Sequence, residues 1–477
     1  MALVFEQLLT ASLGDAAYLV GDDDARVCAV VDPQMDSERY LAAARRHGLA
    51  IRYVLQTHVH EDFLSGAHAL ASRAGDAEVC VSGHDAPAYG FPHRTVHDGD
   101  VLALGTIRLT VKHTPGHTPE HVAVLVAKAD APDAPFAVLS GGSLLAGTAG
   151  RTDLLEDRQA ELTRAQLGTL RDFFGRLDDG VLLYPTHVHG SPCGAAIGDR
   201  VASTIGYEKA HNALLRQALG SADPDAFARE ALQSLPPKPS YYPRLKERNS
   251  SGPPGAGTTA VAPALPVERF RAVLEGGGHT LVDTRHMLAF GGGHIPGALN
   301  FGAAGHLSIQ AGWMLDASQP LLLVLEHDGD LPEVLAQFAR TGFERCAGHL
   351  AGGMSAWQAA GQPLEALPQW HVRRLAAALQ DRAHAPTVLD VRAPHEWEQG
   401  HVPGARHVFL PRLRERLSEL PREGELVVYC DIGYRASIAA SLLQAEGFRA
   451  ASVPGSWQAW LACGLPVERQ EPGQESG

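Results

Sequence analysis

A chain of 477 residues is too long for one hydrophobic core and predicts two to four domains. A hydrophobic fraction of 45% with 20% charged residues is that of an ordinary globular protein and excludes wholesale disorder. The 54 acidic residues outnumber the 40 Lys and Arg, and the net charge of −14 would repel phosphates and anionic lipid, so no nucleic acid or membrane partner is expected. Six cysteines in a chain of this size do not make a disulfide framework, and a reducing cytoplasm is the expected compartment. The opening MALVFEQLLTASLGDAAYLV has no basic flank and runs at once into GDDDAR, unlike a signal peptide. No apolar run reaches membrane-spanning length.

Residues 1–235 mix strand-like AVVDP, YVLQTH, LTVKHTP and AVLVAKA with helical RYLAAARRHG and RAQLGTLRDFFGRL, which predicts an α+β or layered α/β/α domain. THVHED, directly after a strand, carries His58, His60 and Asp62. TPGHTPEH carries His117, and YPTHVHGSPCG carries His187. One histidine in a loop reads as a satisfied surface residue; three clusters, each after a strand and beside Thr, Pro or Gly, read as loops converging on a metal. Cys193 lies six residues after His187 in a Gly/Pro loop expected to face that metal, either as a substrate-binding thiol or as a semi-buried structural one. Cys28, Cys80 and Cys463 sit in apolar contexts and are expected only to pack; His84, His93, His97 and His113 show no ligand-like pairing and are expected to be solvated.

Together these loops resemble the metallo-β-lactamase fold, an αββα sandwich of two sheets. TPGHTPEH and RTDLLEDRQ, from Arg151, are most similar to its persulfide dioxygenase branch, including members fused to rhodanese domains. The resemblance implies one metal ion, Fe(II) first and Zn(II) second, on an open site suited to oxygen chemistry. Carried over by motif, the two histidine ligands are His58 and His117, and Arg151 joins Cys193 as a candidate substrate-binding residue. The family's aspartate position holds Gly142, in Ser-Gly-Gly-Ser-Leu, and Phe63 replaces the last histidine of His-x-His-x-Asp-His. Those losses disfavour a two-metal thioester hydrolase. His58, His60 and His117 remain as a three-imidazole face, with Asp62 and His187 nearby.

Residues 236–266 are rich in Pro, Gly, Ser and Thr with little apolar periodicity, and are expected to link domains, partly wrapped over a neighbouring surface. Beyond them the chain repeats itself. LVDTRHMLAFGGGHIPGALNF, from Leu281, matches VLDVRAPHEWEQGHVPGARHV, from Val388, with Asp283 and His294 spaced like Asp390 and His401. Each copy later ends in a Gly-rich turn and a tryptophan, Trp357 and Trp460. A repeat of this length means duplicated domains rather than a solenoid. Short apolar runs alternating with helical patterns predict parallel sheets covered by helices in both, over 267–366 and 367–468, before a tail at 469–477.

Cys430 closes the run LVVYC, and a helix-like RASIAASLLQAEGF follows the loop Asp431, Ile432, Gly433, Tyr434. A helix N-terminus lowers a thiol pKa and favours the nucleophilic thiolate. Gly433 lets the loop curl its amides toward sulfur, and Arg435 adds positive charge. These residues resemble the rhodanese loop Cys-x-x-Gly-x-Arg, and Asp390, Arg392, Glu396, His401, Pro403 and Gly404 fall where that family places its signature. The resemblance implies that Cys430, with Arg435, accepts sulfane sulfur as a persulfide. The loop, with four residues between Cys and Arg, is one shorter than in related phosphatases, which suits one sulfur atom better than a phosphate. The first copy offers Leu325 or Glu326 at the matching place, Cys346 comes too late, and this copy is expected to be inactive and kept for packing or docking.

The leading expectation is a fusion enzyme. It would oxidise a low-molecular-weight thiol persulfide with O2 and move sulfane sulfur through Cys430, with sulfite or thiosulfate as the other sulfur partner; a homo-oligomer is allowed for. Two rivals stand beside it: a sulfurtransferase with a decayed metal domain, and a zinc hydrolase fused to rhodanese.

Overall fold

The computed structural model describes residues 3–220, 223–233, 235–252, 262–381 and 383–469. They form two compact units, one comprising residues up to Gly252 and Ala339–Gly342, the other the rest from Ala262 onward.

In the first unit, Leu3–Thr10, Asp15–Asp22 and Val27–Val31 pair antiparallel, and the sheet continues in parallel through Ala50–Leu55, Glu78–Ser82 and Arg94–Val96. A second six-stranded sheet runs Ser203–Thr204, Leu182–Pro185, Ala137–Gly141, Val122–Lys128, Ile107–His113, Val101–Leu104. Strand Ile107–His113 shows the cause in miniature: Ile107, Leu109 and Val111 are buried at every second position. They meet Tyr18, Val20, Val31 and Leu55 of the first sheet in a shared core. Helices Glu38–Arg46 and Ala67–Ala74 cover the outer face of the first sheet through Tyr40, Ala43 and Leu70. Helix Gln159–Asp172 covers the second through Leu167 and Leu170. The result is the expected αββα sandwich.

The linker expectation needs correction over its first half. Tyr242–Ser251 is a helix of the first unit, with Tyr242, Leu245 and Asn249 buried. Asn249 Nδ2 donates to the carbonyls of His60 and Phe63, both at 2.7 Å, and its Oδ1 accepts from Ser65 N at 2.8 Å, so this helix clamps the THVHED loop. Residues 253–261 of the expected linker, and all but Arg469 of the expected tail, lie outside the described residues.

The second unit holds two parallel sheets. One runs Ala264–Leu265, Cys346–Leu350, Leu321–Val324, Thr280–Asp283, Leu299–Asn300; the other runs Arg406–His407, Thr387–Asp390, Leu426–Tyr429, Ala450–Ser452. The copies were expected as separate domains, yet residues of both enter a single hydrophobic cluster, including Phe301, Leu323, Leu389 and Ile438. The helix Tyr434–Ala445 is buried on most sides, because Ser437 and Ser441 of its inner face also bond Asn300 of the first copy, at 2.6 and 3.0 Å.

Duplication is visible atom by atom. Arg285 Nη2 donates to Asp283 Oδ2 at 2.6 Å and to Gly293 O at 2.8 Å; Arg392 repeats both bonds with Asp390 and Gly400 at the same distances. His294 stacks on Phe290 and His401 on Trp397. Trp357 and Trp460 each donate to a proline carbonyl six residues on, at 2.8 Å. A buried pair of this kind is costly to break from one side, since the partner charge stays desolvated. Asp283→Ala, which strands the buried Arg285, is expected to destabilise the second unit by about 3–5 kcal/mol in denaturant unfolding; an unchanged midpoint would show that the pair adds nothing.

Candidate metal centre and sulfur-binding loop

The metal loops leave the sandwich from strand ends: His58 follows Ala50–Leu55, His117 follows Ile107–His113, Gly142 follows Ala137–Gly141, and His187 follows Leu182–Pro185. Asp32, at the end of Val27–Val31, ties two of them together. Its fully buried carboxylate accepts from Thr57 N at 2.7 Å, Thr57 Oγ1 at 2.8 Å and Thr186 Oγ1. Burial alone would raise its pKa, but His60 and these donors hold it below the usual carboxylate range. Thr57 has spent its single proton on Asp32, so its oxygen accepts from His58 Nδ1 at 2.9 Å, and His58 Nε2 carries the lone pair. His117 reaches the same tautomer by donating from Nδ1 to Arg151 O at 2.8 Å. Burial and neighbouring imidazoles keep His58 well below its ordinary value and bring His117 to about 3, so both rings are neutral.

His187 is the shared member of the cluster. Its donor atoms lie within 4.8 Å of those of His58 and His60, of His117 and Cys193, and of Asp15 and Asp62. Nδ1 is 2.8 Å from Asp15 Oδ1 and 3.1 Å from Asp62 Oδ2, while Nε2 is buried without a hydrogen-bond partner. Burial lowers its pKa, but Cys193, Asp62 and Asp15 outweigh that and raise it. Of the two carboxylates, Asp15 is raised by burial and by the charge of Asp62, whereas Asp62 stays ionised because His187 and His60 overcome its burial. His60 Nε2 lies 3.0 Å from Asp32 Oδ1 but out of line for a hydrogen bond, and both its ring nitrogens are buried without a partner. Several orphaned, buried nitrogen and oxygen atoms on converging loops are the donor set a divalent metal would satisfy, so the residues fit one.

The aspartate position is not an empty slot. A Cβ on Gly142 would lie 2.3 Å from His117 Cδ2 and 2.7 Å from His117 Nε2. The Gly142 amide donates to His121 Nε2 at 2.9 Å, and His121 Nδ1 bonds Thr114 Oγ1 at 2.8 Å. His121, unremarked in the sequence reading although it closes TPGHTPEH, therefore has both nitrogens engaged and is a buried structural ring. Phe63, in the place of the family's last histidine, is buried and stacks on His60.

Two expectations change here. Arg151 is not free to hold substrate: it is 2% exposed, binds Asp153 through Nε at 2.7 Å and Nη2 at 2.8 Å, and gives Nη1 to the carbonyls of Pro192 and Pro236. His84 and His113 are half-buried rather than solvated; they stack at 4.0 Å and bond Asp98 N and Pro119 O, while His93 and His97 are exposed as expected. Cys193 is buried with Sγ 3.3 Å from the Tyr242 hydroxyl. Tyr242, Asp15 and Asp32 were invisible in the sequence: none lies in a histidine motif, and Tyr242 falls in the expected linker.

In the second unit, Cys430 directly follows Leu426–Tyr429, and Gly433, at φ 110°, caps Tyr434–Ala445. Gly433 N donates to Cys430 Sγ at 3.1 Å. Among the described residues this is the loop amide that reaches the sulfur, a smaller cradle than a full ring of amides. The loop side chains turn elsewhere: Asp431 accepts from Gln458 at 2.8 Å, Ile432 is 57% exposed, and the Tyr434 ring packs beside Gly305. Arg435 does not stand alone beside the thiol, for both its Nη atoms bond Glu396, at 2.6 and 2.7 Å. In the first copy the parallel register pairs Asp283 with Val324 as it pairs Asp390 with Tyr429, so Leu325 occupies the cysteine position. All six cysteines are unpaired.

Comparison with known proteins agrees with this geometry. A family model for the rhodanese-like domain matches residues 266–360 and 372–463, and one for the metallo-β-lactamase superfamily matches residues 14–131. The chain is 30% identical over 258 residues to a protein of Burkholderia pseudomallei (strain 1710b) named a probable metallo-hydrolase, covering 46% of this chain and 84% of that one. It is 33% identical over 85 residues to a protein of Allochromatium vinosum named a sulfurtransferase, covering 18% of this chain and 79% of that one. The crystal structure of a metallo-β-lactamase from Staphylococcus aureus subsp. aureus COL, 27% identical, superposes with a TM-score of 0.64 over 74% of this chain and 99% of that one. With a metal-ready sandwich in its first unit and paired copies of one sulfur-loop fold in its second, the chain belongs to the metallo-β-lactamase superfamily and carries two rhodanese-like domains behind that fold.

Proposed function

We propose that this chain oxidises a low-molecular-weight thiol persulfide with O2 at a single metal ion in its first unit and transfers sulfane sulfur through Cys430 in its second. The observation that carries the transferase half is Cys430 Sγ at a helix N-terminus, 3.1 Å from Gly433 N and beside the Arg435–Glu396 pair. The Cys430 thiolate attacks the outer sulfur of a persulfide; the new S–S bond forms as the donor's S–S bond breaks, and the donor leaves as a thiol. Sulfite then takes the sulfur to give thiosulfate and returns the thiolate. The Gly433 amide and the helix dipole hold the negative sulfur at each stage.

The oxidative half consumes a persulfide, O2 and water and yields a thiol, sulfite and two protons. A bound divalent metal, Fe(II) first among candidates, would supply open positions for O2 and the persulfide sulfur. His58, His117 and His187 would offer Nε2 donors, with His60 and Asp62 beside them. Asp32, Thr57 and Arg151 O fix those tautomers, and Asp15 and Asp62 set the charge at His187. Support for the dioxygenase reading is the likeness of TPGHTPEH and RTDLLEDRQ to that branch and the fusion to a sulfur carrier, where tethering raises effective concentration.

The rival zinc hydrolase takes its support from the name of the Burkholderia relative. Gly142 and Phe63 weigh against a two-metal version, since neither can ligate. The N-terminal half is decided by metal analysis of protein purified without added metal. Stoichiometric iron with persulfide-dependent O2 uptake is expected; zinc with ester hydrolysis would favour the hydrolase, and metal-free protein that takes up no O2 would leave a transferase alone.

Cys430→Ser is expected to abolish thiosulfate:cyanide sulfur transfer while O2 uptake persists; retained transfer would remove Cys430 from the mechanism. His117→Ala is expected to lower bound metal below the parent's, and equal metal content would show the cluster misread. The third expectation concerns acid. Burial would raise the Glu396 pKa, but the bond and charge of Arg435 lower it, so the clamp persists below the ordinary glutamate value of about 4.3 and opens only as pH falls through the depressed value. Transferase rates should therefore hold until below about pH 4, whereas Glu396→Gln should be slower by roughly tenfold or more and lack that acid limb. An identical limb in the variant would assign it to another group.

A further inference from the structure

The family's carboxylate ligand is absent, and the space beside it is not free to receive one. The His117 ring fills the region where a side chain on Gly142 would begin, and the ring is fixed there by its bond to Arg151 O. Two imidazoles and a carboxylate hold a divalent ion with one unit of negative charge; with Gly142 in the carboxylate's place that charge comes from elsewhere, and Asp62 is one anionic group beside His187. A second anionic donor is already present in the cluster. Cys193 Sγ, buried, lies within 4.8 Å of the donor atoms of His117 and His187. His187 Nε2, on the same side of the cluster as the thiol, is fully buried and makes no hydrogen bond of good geometry, as a nitrogen awaiting a ligand would be.

We propose that the metal centre of this chain takes the Cys193 thiolate as a ligand together with His117 and His187, the sulfur replacing the family's carboxylate. This rests on the reading that the histidine cluster binds a divalent metal. Neutral imidazoles, His58 included, add no charge, so one thiolate restores the net charge of the two-histidine, one-carboxylate set, and the softer sulfur favours Zn(II) or Fe(II) over Mg(II) or Ca(II). On binding, the Cys193 S–H bond and the Nε2–H bond of a protonated His187 both break, sulfur and nitrogen donate their electron pairs to the ion, and both protons leave to solvent.

The surroundings hold the sulfur where this requires. Arg151 is the positioning residue: its carbonyl accepts from His117 Nδ1 at 2.8 Å and its amide donates to Cys193 O at 2.9 Å, so the backbone of one residue sets both ligands. Its guanidinium, locked on Asp153, Pro192 O and Pro236 O, keeps that backbone still. Cys193 N is held by Ser191 Oγ at 3.2 Å, and the Tyr242 hydroxyl, 3.3 Å from Sγ, can donate to a thiolate. These contacts also account for an arginine so deeply buried without a substrate to bind.

The test is spectroscopic and uses the full chain loaded anaerobically with Co(II). The parent is expected to show near-ultraviolet sulfur-to-cobalt charge-transfer absorption. Cys193→Ser should lose that band and bind cobalt more weakly than the roughly 10–100-fold drop that follows loss of an outer-sphere partner. Cys430→Ser and Tyr242→Phe should both keep the band. X-ray absorption at the metal edge of zinc-loaded parent, which needs no variant, should show a sulfur neighbour at about 2.3 Å that persists in Cys430→Ser. A parent that binds metal with only nitrogen and oxygen neighbours, or a Cys193→Ser protein with an unchanged band, overturns the thiolate and leaves the metal centre standing. A parent that binds neither ion overturns the metal reading itself.

Discussion

One buried carboxylate organises the first unit. Asp32 sits at φ 52°, a left-handed conformation that a residue with a side chain adopts only when its surroundings enforce it. Here the enforcement comes from two threonines on separate loops, and the carboxylate dictates, through Thr57, which nitrogen of His58 carries the lone pair. Without that acceptor, Thr57 would be free to donate to the ring, and the tautomer suited to a metal would no longer be fixed. A charge with no solvent exposure thus acts on the histidine cluster at one remove. The same arrangement recurs at His117, where a backbone carbonyl plays the carboxylate's part.

The histidine loops, the sulfur loop and the duplication were all legible in the sequence because each is local. Strand, turn and ligand lie within a dozen residues, and the spacing survives in the string of letters. What was not legible is long-range. Asp15 reaches His187 across 172 residues, and Tyr242 reaches Cys193 across 49. The helix Tyr242–Ser251 was read as linker because its composition offers little propensity; burial of Tyr242, Leu245 and Asn249 against the metal domain supplies what propensity does not. Arg151 illustrates the opposite error. Its motif was real, but a motif does not say whether a guanidinium points outward at substrate or inward at Asp153.

Comparing the two copies separates scaffold from chemistry. The Asp–Arg–carbonyl unit, the stacked histidine and the tryptophan-to-proline bond are the same in both, so much of the sequence signature specifies the fold. They differ in the loop, where Leu325 stands for Cys430 and five residues separate it from the next α-helix instead of three. Nor is the first copy inert toward the second. A Cβ at Gly433 would meet Met287 Sδ at 2.9 Å, and the Tyr434 ring lies on the backbone around Gly305. The expectation that this copy serves packing gains a specific content: it walls the sulfur loop.

That wall matters because Cys430 is 1% exposed. A buried anionic sulfur loses its hydration, at a cost of several kcal/mol per ion. The helix N-terminus returns up to about 2 kcal/mol and one charge-assisted hydrogen bond about 1.5–3 kcal/mol. Around Cys430 both kinds of group are present, the helix N-terminus with the Gly433 amide, and the Arg435 guanidinium that Glu396 shares. The left-handed φ of Gly433 is what aims the amide at sulfur while starting the helix, so a single backbone dihedral controls both contributions. Burial therefore leaves the sulfur held by fixed dipoles rather than by water, and the same walls shield it from solvent.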